Sequence, residues 1–129
     1  MAWATVETPP GFRVTMRKEN NGMVLRLDER RRLARSGDES MSATAHRLRS
    51  ARFVAGVSQV QIARFGWASP DLVHVEDAEA GRVMPNYALL NFYWRRLRLT
   101  ADFFETGKIH EIRVEIEDRL FAALKAQME

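Results

Sequence analysis

The three histidines, His46, His74 and His110, are the first side chains to consider for chemistry near neutral pH, as general bases or metal ligands. None stands in a metal-ligand spacing such as His-Glu-x-x-His. Cysteine is absent, which removes thiolate zinc sites, thiol nucleophiles and disulfides together. No Gly-rich phosphate loop or nucleophile motif occurs. The adjacent acids Glu76-Asp77 and Glu117-Asp118 are the remaining acid–base candidates, and such pairs are far more often solvated surface. The sequence therefore predicts neither an enzyme nor a metal or cofactor site.

Attraction of an anionic polymer is the chemistry better supported by composition. Lys and Arg number 20 against 17 Asp and Glu, a formal net charge of +3. The excess is uneven: residues 1–57 carry 11 basic against 6 acidic side chains, residues 58–107 carry 5 against 6, and residues 108–129 carry 4 against 5. The positive field is thus expected in the first half, where Arg30, Arg31, Arg32 and Arg35 cluster. Such a field suits a polyanionic partner, although a solvated basic face is as common a reason for so small a surplus.

A chain of 129 residues, 46% hydrophobic and 29% charged, is expected to bury one modest core with short appendages. No apolar run approaches the roughly 18 residues needed to cross a bilayer. The opening residues lack a basic stretch followed by an apolar one. A soluble cytoplasmic protein without a membrane partner is the expectation.

Local patterns divide the chain into three parts. Residues 1–44 read as an arm containing Pro9-Pro10-Gly11, a small β-hairpin and a basic linker. In the hairpin, residues 12–17 and 23–27 alternate apolar with polar around Asn20-Asn21-Gly22. Residues 28–35 could start a helix, which Ser36-Gly37-Asp38-Glu39-Ser40 interrupts. Met41 stands just ahead of the next part and is a candidate alternative translation start.

Residues 45–107 read as five short helices. Leu48, Ala51, Arg52 and Ala55 follow an amphipathic spacing that Gly56 stops. Ser58 caps a second helix over residues 59–65. Ser69 as N-cap, Pro70 at the first helical position and Asp71 open a third that runs to Glu79. Asn86 caps a fourth with the stripe Leu89, Leu90, Tyr93, Trp94 and Leu97, and Thr100 caps a fifth that ends at Gly107. Trp67, Trp94, Phe103 and Phe104 read as core, with Trp67 at a turn open to partial exposure. In residues 108–129, Ile109, Ile112, Ile116, Leu120 and Leu124 recur at threes and fours, as on a helix with one apolar seam. Ile112, Val114 and Ile116 also alternate, as a strand would. The seam is a candidate homodimer interface, with packing on its own domain the alternative.

The segment RLRSARFVAGVSQVQIARFGWASPDLVHVED, residues 47–77, resembles the first three helices of the phage-repressor (XRE, Cro/cI-type) helix-turn-helix family. Ser58-Gln59 opens the second helix, and Phe65-Gly66-Trp67 looks like a variant turn. LLNFYWRRLRLTADFFETG, residues 89–107, is similar to that family's closing helix pair. The resemblance covers about half the chain and lies in the order of features. It implies a five-helix lambda-repressor-like domain whose third helix enters the major groove of double-stranded DNA. Carried over, it makes Ser69, Asp71 and His74 base-facing candidates and Gln59, Arg64, Arg82 and Asn86 backbone contacts, with Gln61 able to serve either role.

The expected third helix departs from that pattern. No Lys or Arg stands between Phe65 and Gly81, whereas Asp71, Glu76, Asp77 and Glu79 are acidic, only Glu76 matching an acidic position common in the family. Carboxylates near phosphates oppose the electrostatic attraction that dominates DNA affinity. Binding would then lean on Arg47, Arg49, Arg64 and the N-terminal cluster. The leading expectation is a sequence-specific, dimeric DNA-binding transcription regulator. The competing one is a protein-binding module, such as an antiactivator or antitoxin, that presents the acidic helix to a protein partner.

Overall fold

The computed structural model describes residues 26–128. The chain divides into two compact units, residues 1–30 and 31–129. Of the first, the described residues 26–30 lead into helix α1 (Leu27–Ala34). The expected arm and hairpin lie outside the described residues, except that Leu27, assigned by its pattern to the hairpin, opens α1. The described residues are mainly helical, with α2 (Met41–Ala55), α3 (Gln59–Ala63), α4 (Leu72–Glu79), α5 (Tyr87–Leu97), α6 (Ala101–Thr106) and α7 (Val114–Met128) following α1.

Helix α2 is the axis of the larger unit, packing against α4, α5, α6 and α7. Its buried Ala43, Ala45, Ala51 and Ala55 carry little bulk, so neighbouring helices approach closely around Leu48. It starts at Met41, four residues before the expected Ala45. The Ser40 hydroxyl accepts from the Ala43 N–H at 3.1 Å and so caps the helix there. Gly56, at φ 70°, ends it in the left-handed conformation.

The polar segment before α2 is tied down on both sides. Asp38 accepts from the Ser40 N–H at 3.0 Å and from Arg35 at 2.9 Å. Hydrogen bonds from Ser40, then from Arg35, hold its carboxyl down at about 2. The Gly37 N–H donates to the Thr106 carbonyl at 2.7 Å, and the Ser36 hydroxyl donates to that of Gly107. These bonds join the end of α1 to the end of α6.

Helix α3 carries the expected Ser58 cap as a reciprocal capping box, the Ser58 hydroxyl accepting from Gln61 N–H at 3.0 Å and Gln61 Oε1 from Ser58 N–H at 2.8 Å. Helix α4 departs from expectation at its start. Asp71, not Ser69, is the N-cap, and Pro70 lies outside the helix. The Ser69 hydroxyl instead accepts from the Gly66 N–H at 2.7 Å, while the Ser69 N–H donates to the Gly66 carbonyl at 3.0 Å. That closed turn uses the oxygen a cap would need. Asn86 and Thr100 cap α5 and α6 as expected.

A chain of ring contacts runs through the core from Phe92 to Tyr93 to Phe104 to Phe103 and is extended outward by the exposed Phe65 on Phe92, with centroids 5.0–5.1 Å apart. Phe103 and Phe104 are core as expected, but Trp67 is fully exposed and Trp94 is 45% exposed. Phe92 takes the inward position on α5, one residue off the expected stripe.

Helix α7 resolves the ambiguity of the C-terminal segment as helix from Val114 onward, with no strand among the described residues. Ile112, Ile116, Leu120 and Leu124 are buried within their own chain, and α7 lies along α2. The seam expected to face a second copy is therefore consumed by the fold, and only Ile109 stays half-buried. His46 of α2 fastens the contact, its buried ring Nε2 donating to the Leu124 carbonyl at 2.8 Å. Burial lowers the pKa of this ring, so the neutral form is favoured.

Candidate nucleic-acid interface

The side chains singled out from the sequence fall around α3, α4 and the loop into α5, but most of their polar groups already have partners. Glu79, at the end of α4, is buried. It accepts from Arg52 at 2.8 Å and from the Gln59 amide at 3.0 Å. A buried carboxylate requires such a partner set, and here it joins α2, α3 and α4. Gln59, expected on phosphate, is thus engaged inside the fold. Gln61 belongs to the capping box, and Ser69 closes the turn before α4.

His74 Nε2 accepts from the Asn86 backbone N–H at 2.9 Å. The ring proton therefore sits on Nδ1, and the side chain fastens α4 to the start of α5. Asn86 spends its own oxygen on the Leu89 N–H at 3.0 Å. Arg82 donates to Asp77 Oδ1 through Nε at 2.9 Å and Nη2 at 2.7 Å. Of the eight candidates, Arg64 and Asp71 have exposed side chains with no hydrogen bond or ion pair among the described residues.

One of the flanking arginines is corrected outright, and a second is partly engaged. Arg47 has no exposed surface. It donates to the carbonyls of Ala34 (2.8 Å), Phe104 (2.9 Å), Arg35 (2.7 Å) and Asp38 (2.7 Å). Burial brings its pKa down to about 10. Arg49 donates to the Glu79 carbonyl at 2.6 Å and to Gln127 at 3.4 Å. Arg47 is therefore not placed to touch DNA, whereas Arg49 is half-exposed with part of its guanidinium spent on α4.

The same bonds alter the charge of α4. Glu79 is turned inward and paired with Arg52, and Asp77 is paired with Arg82. Asp71 and Glu76 remain as the exposed, unpaired acids of this helix among the described residues. The outer surface of α4 presents Val73, 64% exposed, beside Glu76. Trp67 and Tyr87, on the segments flanking α4, are also open to solvent.

Sequence reasoning missed a second concentration of positive charge. Arg95 and Arg96 lie in the last turn of α5 and Arg98 is its C-cap, where cations complement the negative end of a helix. All three are exposed. Arg98 lies over the Trp94 ring, 5.2 Å from its centroid. Arg96 donates to the Ala55 carbonyl at 3.0 Å. None of the three forms an ion pair with a carboxylate among the described residues. Three arginines within four residues were visible in the sequence. Averaging charge over residues 58–107 hid them.

No group of three His or acidic side chains among the described residues could hold a metal ion, and no described helix is long and apolar enough to cross a membrane. Comparison with known proteins finds no matching family model, no matching curated protein and no matching solved structure.

Proposed function

We propose that residues 41–107 are a helix-turn-helix module of the phage-repressor type, and that the protein is a sequence-specific DNA-binding regulator of transcription. The observation that carries the reading is the arrangement of α3 and α4. They are two short helices joined by an eight-residue connection that contains the Gly66–Ser69 turn; they pack on each other, α4 also packs on α2, and a buried acid at the end of α4 is bonded to Arg52 of α2 and Gln59 of α3. A pair held this firmly can present its second helix to a major groove as a rigid unit. Inward pairing of Glu79 and the Asp77–Arg82 pair halve the acidic charge that opposes such docking. A single module of this size binds weakly, so a dimer on two half-sites belongs to the reading. Its contact would use a surface other than the buried α7 seam.

Selection from random duplexes at low salt, followed by salt titration of the enriched site, tests the proposal. An enriched motif whose affinity falls steeply with salt supports it. Failure to enrich any motif overturns it. One observation favours a second reading: Val73, Trp67 and Tyr87 expose apolar surface on and beside α4 next to Asp71 and Glu76, as a protein-binding face would. A stoichiometric protein partner recovered in place of a DNA motif would select that reading.

A further inference from the structure

The arginines at the end of α5 share their surface with the start of α7. One shallow groove is lined by Arg95, Arg96, Arg98 and Arg113 together with Glu115. A second, adjoining it, is lined by Trp94, Arg98, Thr100, Glu111 and Arg113. Arg95 also lines a third groove, against the turn at residues 65–69 that precedes α4. The three grooves therefore form a connected strip through shared arginines.

The charge along this strip is unbalanced. Against its four guanidinium groups stand two carboxylates, Glu111 and Glu115, and among the described residues Arg113 is the one arginine of the strip in an ion pair, with Glu115 at 3.2 Å. Gathering three arginines without acidic partners about one open groove is unfavourable, and the helix dipole at the end of α5 offsets only part of that cost. An anion would remove it.

From this geometry we infer that the strip binds the phosphodiester backbone of nucleic acid, at a site separate from the outer surface of α4. Guanidinium groups match phosphate oxygens in a bidentate manner. The cations are strung along an open strip that reaches the turn before α4, so the ligand is an extended polyanion with repeated charges. A mononucleotide would call for an enclosed pocket with a stacking wall, and the described face of Trp94 is covered by Arg98. The choice of nucleic acid rests on the DNA-binding reading above, and the inference supplies that reading with the cations that α4 lacks.

The test uses the full chain and a labelled random-sequence duplex, titrated from low to physiological salt. The double variant Arg95→Gln/Arg98→Gln is expected to bind about tenfold or more weakly at low salt, and to lower the slope of log affinity against log salt by about 2, close to one for each lost phosphate contact. A charge-matched variant, Lys108→Gln/Lys125→Gln, is expected to change the slope little. Circular dichroism of each variant checks that the helices are intact.

Equal losses in both doubles would mean diffuse charge and overturn the inference. So would an unchanged arginine variant with the loss appearing in Arg64→Gln instead, a result that leaves the DNA-binding reading standing. Efficient competition by ATP or inorganic triphosphate, at matched phosphate concentration and one molecule per chain, would convert the strip into a small-anion site and overturn the backbone assignment. If the strip variant weakens duplex binding while selection enriches no motif, the strip stands and sequence-specific regulation falls. Absence of any duplex binding at low salt overturns both.

Discussion

Replacing Arg47 with methionine separates a structural arginine from a DNA-contacting one. The four carbonyls that Arg47 serves come from the end of α1, the following linker and α6. Methionine keeps much of the buried alkyl volume and removes every donor. The Phe104 carbonyl would keep the Thr44 hydroxyl, which donates to it at 2.8 Å. That of Arg35 would keep the Asp38 N–H, at 2.9 Å, so the carbonyls of Ala34 and Asp38 are the two left without a donor. Each buried acceptor left without a donor costs about 1–3 kcal/mol, whereas removing a desolvated charge returns part of that sum. The net expected loss is about 3–5 kcal/mol, a large share of the roughly 5–15 kcal/mol that stabilises a domain. Urea unfolding followed by circular dichroism measures it, and Arg47→Lys, which keeps the charge without the planar fork, is expected to recover less than half. The reasoning is refuted if Arg47→Met lowers stability by less than about 1 kcal/mol with an unchanged urea dependence. It is equally refuted if the variant stays folded and loses salt-dependent DNA binding.

Glu79→Gln, which leaves Arg52 partly buried without its counter-charge, is expected to cost about 2–4 kcal/mol; a double-mutant cycle with Arg52→Met should show coupling well above the 0.5 kcal/mol of independent sites. Gly107→Ala would place a Cβ 2.8 Å from both Arg47 Nη2 and Ser36 Cα at a φ of +79°, so its melting temperature should drop by at least about 10 °C, as about 2 kcal/mol does in a small domain. His46 is held neutral by burial, with the Arg35, Arg49 and Arg47 cations acting in the same direction against the Leu124 bond. Its folded pKa lies below the unfolded value, so the unfolded chain takes up the proton first and stability falls as pH drops through and below about 6.5. His46→Gln should flatten that dependence between pH 7.5 and 5.5, and an equally steep fall in the variant would assign it to other groups.

Local chemistry made much of the helix order readable. Ser58, Asn86 and Thr100 each bring an oxygen to a backbone N–H three residues on, and Gly56 and Gly107 take the left-handed conformation that ends a helix. Such signals act within one turn of chain, so they survive without tertiary knowledge. The beginning of α4 did not, because Ser69 and Asp71 both suit a cap and the choice depended on a hydroxyl already committed to Gly66. The start of α2 was missed because Met41-Ser42-Ala43-Thr44 has no apolar period, although its small side chains pack well. The expected α5 stripe held Tyr93, which is buried, but also Trp94, which is 45% exposed, and it left out the buried Phe92; Trp67, read as core or partly exposed, is fully exposed.

The candidate site was less legible than the fold for a related reason. Gln, Asn, Ser and His are chosen as DNA contacts because they carry donors and acceptors, and the same groups satisfy helix ends and tight turns. In this chain Gln61, Ser69 and Asn86 do the latter, His74 joins two elements, and Gln59 completes the partner set of Glu79. Arginine is different. Arg47 and Arg49 find backbone carbonyls and Arg52 a buried acid, but among the described residues Arg98 finds an aromatic face and Arg95 the end of a helix, neither with an acidic partner. Cations that the fold leaves without acidic partners are the ones able to exchange counterions for phosphate. The electrostatic case for DNA binding therefore loses Arg47 and gains the junction of α5 and α7, which the charge count had not singled out. A helix α4 that carries no cation leaves duplex binding dependent on charge outside it, and among the described residues this junction and Arg64 offer exposed arginines for that role.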